Sequence, residues 1–243
     1  MIIFLMPVYN EEKNIGRLLE NIHEYAQSRK LDYKVCIADD GSDDSTVEIA
    51  GSLKTRMSLE VVSNPRNMGP GAAFDLGFRA VLKFAGEEDI VVTMEADNTS
   101  DMGVLDEMIA KTGEGHDLVL ASCYAKDGGV EGTNLYRKVL SRGANFLVRM
   151  VSLDKDIKTF SSFYRCYRSK ILSKAYRVYG NRFIEEHGFL CAVDILLKLQ
   201  KTGVRAVEVP MILRSSRRIG KSKMKILKTT LSYVRLFLRE VAR

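Results

Sequence analysis

An α/β fold with a doubly wound, mostly parallel sheet is what this sequence predicts, on three observations. Apolar runs of five to seven residues recur through the first half of the chain, the length and greasiness of strands covered on both faces. Amphipathic stretches separate them and are long enough to act as crossover helices. Polar segments rich in Asp, Asn and Gly follow four of the runs, on the edge where such sheets bind ligands.

In chain order, "IIFLM" opens as a strand. It is too short for a secretory leader and acids follow it closely. "EEKNIGRLLENIHEYAQ" is an amphipathic helix, "YKVCIAD" a second strand and "DDSTVEIAGSLKTR" a second helix. "LEVVS", "GPGAAFDLGFRAVLKFA", "DIVVTME", "DMGVLDEMIAKTG" and "DLVLAS" continue the alternation. After residue 123 the pattern loosens. "CYAKDGGVEGTN" is a glycine-rich loop, followed by a helix from Leu135 to Val151, a helix in "FLCAVDILLKLQKTG" and a last strand in "RAVEVPMIL". From Met224 the apolar residues Leu227, Leu231, Val234, Leu238 and Val241 follow at spacings of 3 and 4, widened by Ile226, Tyr233 and Phe237. The expected organisation is one domain over residues 1–221 and a basic amphipathic helix over 222–243.

The chain has 243 residues, 46% apolar and 28% charged, ample for one large core. Its four cysteines form no CxxC pair and its three histidines lie far apart, which points away from a disulfide framework or zinc knuckle and towards a reducing cytoplasm. No window approaches 18 uninterrupted apolar residues, so no membrane-spanning helix is expected. The net charge of +6 is uneven: residues 214–243 hold ten Lys/Arg against Glu240, giving +9, while the remaining 27 basic and 30 acidic residues give −3. Such a tail favours an anionic partner. Outside it there is no basic patch interleaved with stacking aromatics, which argues against a nucleic-acid binder.

The four polar segments are "PVYNEE", "DDGSDDST", "NPRNMGPGAA" and "EADNTSD". Each alone has a plain reading as helix caps and tight turns, and Asp101 is expected to be a cap. Glu95 and Asp97 are either the polar end of a strand or a metal pair. All four on one rim are hard to explain as capping alone.

The series resembles the family 2 glycosyltransferases with the GT-A fold, nearest to the dolichyl- or polyprenyl-phosphate mannosyltransferase type. The resemblance runs through "MPVYNEEKNI", "ADDGSDDST", "NMGPGAAFDLGF", "MEADNTSD", "GGVEGTNLYRKVLSRGAN", "FSSFYR" and "VEVPMILRSSRRIGKSKMK". It implies a Rossmann-like nucleotide-binding half and a sugar donor such as GDP-mannose whose diphosphate is the leaving group. Glu95 and Asp97 stand at the family's Asp-x-Asp, making them candidate ligands for Mg²⁺ or Mn²⁺, with Asp97 also a catalytic candidate. Pro7, Tyr9, Glu11, Asp39, Asp40 and Ala96 match the nucleoside cradle, and Gly69 with Gly71 would let backbone approach closely. Arg218, Lys223 and Lys225 fall in a loop of the kind that closes over the diphosphate.

On the acceptor side the match weakens. Arg137 and Ser141 take the family's positions for the acceptor phosphate, Arg137 also counting as catalytic. Cys123 stands at an expected arginine, and "FSSFYR" lacks the aspartate and glycine of D-x-x-S-G-F. An anionic phosphate acceptor needs no base. A hydroxyl acceptor would need one, for which Glu185, Glu186, His187 and Asp194 are at hand. The resemblance thus implies transfer to a polyprenyl or dolichyl phosphate, peripherally at the cytoplasmic membrane face, with a membrane partner subunit or as a homodimer. A hydroxyl-directed transferase and a non-catalytic sugar-nucleotide binder stay open.

Overall fold

The computed structural model describes residues 1–132, 135–220 and 226–241, with the side chains of 135–139, 226–228, 230 and 231 left aside. Nine strands occur among them: β1 (Ile2–Val8), β2 (Tyr33–Asp39), β3 (Leu59–Ser63), β4 (Ile90–Thr93), β5 (Leu118–Ser122), β6 (Gly129–Glu131), β7 (Arg165–Arg168), β8 (Ala206–Pro210) and β9 (Ile212–Arg214). Seven form the main sheet in the order β3-β2-β1-β4-β7-β5-β8, and β6 pairs with β9 in a small parallel ribbon. Every pairing in the main sheet is parallel except those of β7, which runs antiparallel to both β4 and β5.

Eight helices complete the described chain: α1 (Ile15–Ser28), α2 (Thr46–Ser52), α3 (Pro70–Val81), α4 (Leu105–Gly113), α5 (Leu135–Val151), α6 (Ser169–Tyr179), α7 (Cys191–Lys201) and α8 (Ile226–Val241). They cover both faces of the sheet. Along β1 the side chains alternate between two cores, as a pleated strand requires. Ile3 and Leu5 pack with Phe74 and Phe78 of α3, while Phe4 and Met6 pack with Leu18 and Ile22 of α1 and Met108 of α4. Helix α3 sits tight on the sheet because Gly77 has no Cβ; one added there would come within 2.5 Å of Leu5 and 2.9 Å of Ala38.

The five expected strands are present. The last expected run divides, with β8 ending at Pro210 and β9 starting at Ile212, while β6, β7 and α6 were not foreseen. β7 is four residues long with arginine at both ends, so it carries no apolar signature. Its Arg165 is nonetheless 1% exposed, its guanidinium donating to the carbonyls of Phe160 and Ala192 at 2.7 and 2.9 Å.

Helix α8 is docked on the domain. Tyr233 and Leu236 enter the core shared with α3 and α7, and Arg239 reaches Glu186 and Asp194 at 3.0 and 3.2 Å. The expected stripe points the other way: Val234, Leu238 and Val241 are exposed. Met224 and Leu227, like Leu231, lie outside the described side chains.

Candidate active site

The order β2-β1-β4 places the switch point of the sheet beside β1, and a cavity of about 420 Å³ opens there at the carboxyl ends of the strands. Pro7, Tyr9 and Glu11 line it from the end of β1, Asp40 from β2, and Glu95, Ala96 and Asp97 from β4. Asn67, Pro70 and Ala73 close it from the start of α3, and Arg218 covers it from the segment after β9.

The first two loops are knitted together. Asn10 adopts φ 51°, a conformation asparagine tolerates; its side chain donates to the Asp43 carboxylate and accepts from the Asp43 N–H, while its own N–H donates to Ser42 Oγ at 2.9 Å. The N–H of Glu11 donates to Thr46 Oγ1 at 2.7 Å. Asp40 orders the third segment, accepting from the Met68 and Gly69 N–H groups at 3.0 and 2.7 Å and from Asn64 Nδ2 at 2.9 Å. Its neighbour Asp39 faces elsewhere. Its carboxylate accepts the Ser42 N–H at 3.1 Å and does not line the cavity, so it shapes the loop that presents Asp40.

Gly69 and Gly71 also differ from expectation. At Gly69 φ is 97°, and a Cβ at either glycine would strike the backbone of Glu186 or His187. Gly71 N–H donates to the His187 carbonyl at 2.9 Å. The close approach they permit is to this second loop of the protein itself.

The acid-x-acid turn is intact. Glu95 accepts from Ser100 Oγ at 2.6 Å and from the Phe163 N–H at 3.1 Å. Burial raises its pKa, and the neighbouring charge of Asp97 raises it further. Asp97 Oδ1 accepts from the hydroxyl and N–H of Thr99 at 2.5 and 3.1 Å, and Oδ2 pairs with the guanidinium of Arg218. Asp101 is the expected cap: it accepts from the Gly103 N–H at 3.1 Å, and Arg214 pairs with its other oxygen.

Two aromatic wall residues were missed. Phe163 and Phe189 stack with centroids 6.2 Å apart and line the cavity. Both sat in segments assigned to other roles, and nothing in the local sequence separates a cavity wall from a core aromatic.

The acids set aside for a hydroxyl acceptor are engaged in an ion-pair network centred on buried Asp194 and Lys198. Asp194, 2% exposed, accepts the N–H groups of Glu185 and Glu186 and pairs with Lys198 and Arg239. Glu185 pairs with Lys198 and Glu186 with Arg239, and none of the three lines the cavity. His187 is exposed and also outside the lining. On the acceptor side Ser141 Oγ accepts from Tyr124 O–H at 2.8 Å. Lys158 stands in place of the motif aspartate; the next residue, Thr159, shares a 2.6 Å hydrogen bond with Ser122, and burial pushes the Cys123 thiol up to about 11. Backbone at Arg137 is helical but its side chain, like Lys223 and Lys225 entirely, lies outside the described residues.

A GT-A glycosyltransferase has this architecture. Solved structures with the same fold include glucosyl-3-phosphoglycerate synthase from Mycobacterium tuberculosis in complex with Mn²⁺, UDP and phosphoglyceric acid, at 18% identity and TM-score 0.64, covering 99% of this chain and 77% of that one. Another is S. aureus TarS 1–349 with UDP-GlcNAc, at 20% identity and TM-score 0.64, covering 99% and 66%. The family model "Glycosyl transferase family 2" matches residues 3–175, and the chain belongs to that family. It is 30% identical over 233 residues to a dolichol-phosphate mannosyltransferase of Pyrococcus furiosus, covering 95% of this chain and 61% of that protein. It is 26% identical over 221 residues to an undecaprenyl-phosphate 4-deoxy-4-formamido-L-arabinose transferase of Salmonella choleraesuis, covering 90% and 61%. The chain thus spans about three fifths of the length of these relatives.

Proposed function

We propose that this glycosyltransferase is inverting and metal-dependent, moving a mannose- or glucose-type sugar from a nucleoside diphosphate to a polyprenyl or dolichyl phosphate at the cytoplasmic membrane face. The observation that carries the reading is the single cavity in which Glu95 and Asp97 meet the loops after β1 and β2. The donor set suits a hard divalent cation, since two carboxylates border one space and Asp97 already holds a positive group. A cation there would neutralise the departing diphosphate.

Pro7, Tyr9, Glu11 and Asp40 would hold the nucleoside, with the Phe163–Phe189 pair walling the sugar side. A phosphate oxygen of the acceptor attacks the anomeric carbon in line. The new C–O bond forms as the bond to the diphosphate breaks, the electron pair leaves with the nucleotide, and the configuration inverts. The acceptor is already anionic, so positioning and electrostatics suffice without a base. Engagement of Glu185, Glu186 and Asp194 in ion pairs away from the cavity favours this acceptor over a hydroxyl.

For the membrane, α8 offers exposed Val234, Leu238 and Val241 beside Arg235. Helix α5, which packs against α8, exposes Phe146 and Met150, and Leu153 follows. An apolar stripe flanked by basic residues suits a headgroup interface. No described helix is long and apolar enough to cross a membrane.

The test is an assay of GDP-mannose and UDP-sugars with Mn²⁺ or Mg²⁺ against a short-chain polyprenyl phosphate, a hydroxyl acceptor and water. Transfer confined to the lipid phosphate is expected. Nucleotide binding with no turnover on any acceptor would replace the reading with a non-catalytic binder.

A further inference from the structure

The strap of residues 214–220 borders the cavity, which its Arg218 lines, and is fastened at several points. Arg214 pairs with Asp101 at 3.0 Å and Glu131 at 3.3 Å, and Arg218 pairs with Asp97. One residue on, the side chain of Asn14 clasps the strap backbone in both directions. Ile219 N–H donates to Asn14 Oδ1 at 3.2 Å, and Asn14 Nδ2 donates to the Ile219 carbonyl at 3.0 Å. Asn14 is 2% exposed. Its Nδ2 also donates to Glu11 Oε2 at 2.7 Å, and its carbonyl accepts from Asn98 Nδ2 at 3.0 Å. One buried residue therefore joins the loop after β1, the turn that carries Asp97, and the strap.

Asp97 has two oxygens with different duties. Oδ1 is committed to Thr99, 2.5 Å from its hydroxyl, and so fixes the turn. Oδ2 carries the guanidinium, which compensates a carboxylate 9% exposed that would otherwise be a buried, unpaired charge. A divalent cation and an arginine cannot both sit at contact distance from that oxygen without strong like-charge repulsion.

We infer that Arg218 and the divalent cation exchange on Asp97, and that Asn14 is the positioning residue that registers the strap for the exchange. The inference rests on the metal-dependent reading of this cavity. Before the cation arrives, the protein supplies its own positive group. Once displaced, the guanidinium stands at the cavity mouth, where an incoming diphosphate needs a cationic partner.

The decisive measurement is Mn²⁺ affinity of the nucleotide-free protein, read from the electron paramagnetic resonance signal of free Mn²⁺. Arg218→Gln removes the competitor and should bind Mn²⁺ about tenfold more tightly, equivalent to about 1.4 kcal/mol. The side chain of Arg218 is 28% exposed, which keeps the effect in this modest range. Unchanged or weaker binding in Arg218→Gln overturns the exchange. Asn14→Ala should shift the affinity in the same direction and speed tryptic cleavage after Arg214, Arg217 or Arg218. Since Asn14 is buried and its loss can unfold the chain, the strap variant decides. Asp97→Asn separates the two ideas: it should lose Mn²⁺ binding. If the wild type binds no Mn²⁺ even with GDP or UDP added, or Asp97→Asn binds it undiminished, the metal reading falls and takes the exchange with it.

Discussion

Glu95 and Asp97 stand two residues apart and are held in different ways. The first is gripped by Ser100 and the Phe163 N–H, the second divided between Thr99 and Arg218. Asp97→Ala is expected to abolish metal-dependent transfer by at least about a hundredfold, the scale of losing a main electrostatic contributor, while circular dichroism stays native. At Cys123 burial favours the neutral thiol, so thiolate is scarce below its pKa of about 11. Alkylation by iodoacetamide should be slow at pH 8 and rise by about tenfold per pH unit towards 11; fast labelling at pH 8 would show the thiol to be activated. Residues at strand ends were the readable ones, because Tyr9, Asp40 and Asp97 follow apolar runs that fix their place on the rim. Asp39 was not, since adjacent residues of an extended segment face opposite ways and the sequence does not say which one faces the cavity. Nor was the partner of Gly69 and Gly71, a loop more than a hundred residues away.

At the scale of the element, α7 and α8 are joined by ion pairs that the sequence suggested only as a polar helix start. Asp194→Ala would leave two N–H groups without their acceptor and remove one carboxylate each from buried Lys198 and from Arg239. It is expected to cost about 3–5 kcal/mol in urea unfolding. The two faces of α8 should respond oppositely. Leu236→Ala, at 1% exposure, is expected to lose about 2–5 kcal/mol of stability. Leu238→Glu, at 61% exposure, should leave stability within about 0.5 kcal/mol yet reduce cosedimentation with anionic vesicles; unchanged sedimentation would remove α8 from the membrane reading. Periodicity revealed the helix, but its apolar residues outnumber what one buried stripe needs, so the inward choice of Tyr233 and Leu236 was not legible. β7 was lost for another reason: its burial comes from strands on both sides, while its own four residues include two arginines.

For the whole molecule, the split of charge between tail and body is a prediction about attachment. Vesicle binding should depend on anionic lipid and weaken as salt rises, since the Debye length falls from about 8 Å at physiological ionic strength to about 3 Å at 1 M. Binding that is indifferent to both would assign the exposed stripe to a protein partner. The reversed strand has a separate consequence for how the chain is made. β5 hydrogen-bonds only to β7 and β8 in the main sheet, and all five of its residues are buried. A nascent chain that has emerged as far as residue 160 therefore carries a largely apolar segment with neither of its eventual neighbours, and β4 with one open edge. Ribosome-released fragments ending between residues 123 and 164 should precipitate or recruit chaperones, whereas those extending past β8 should stay in solution.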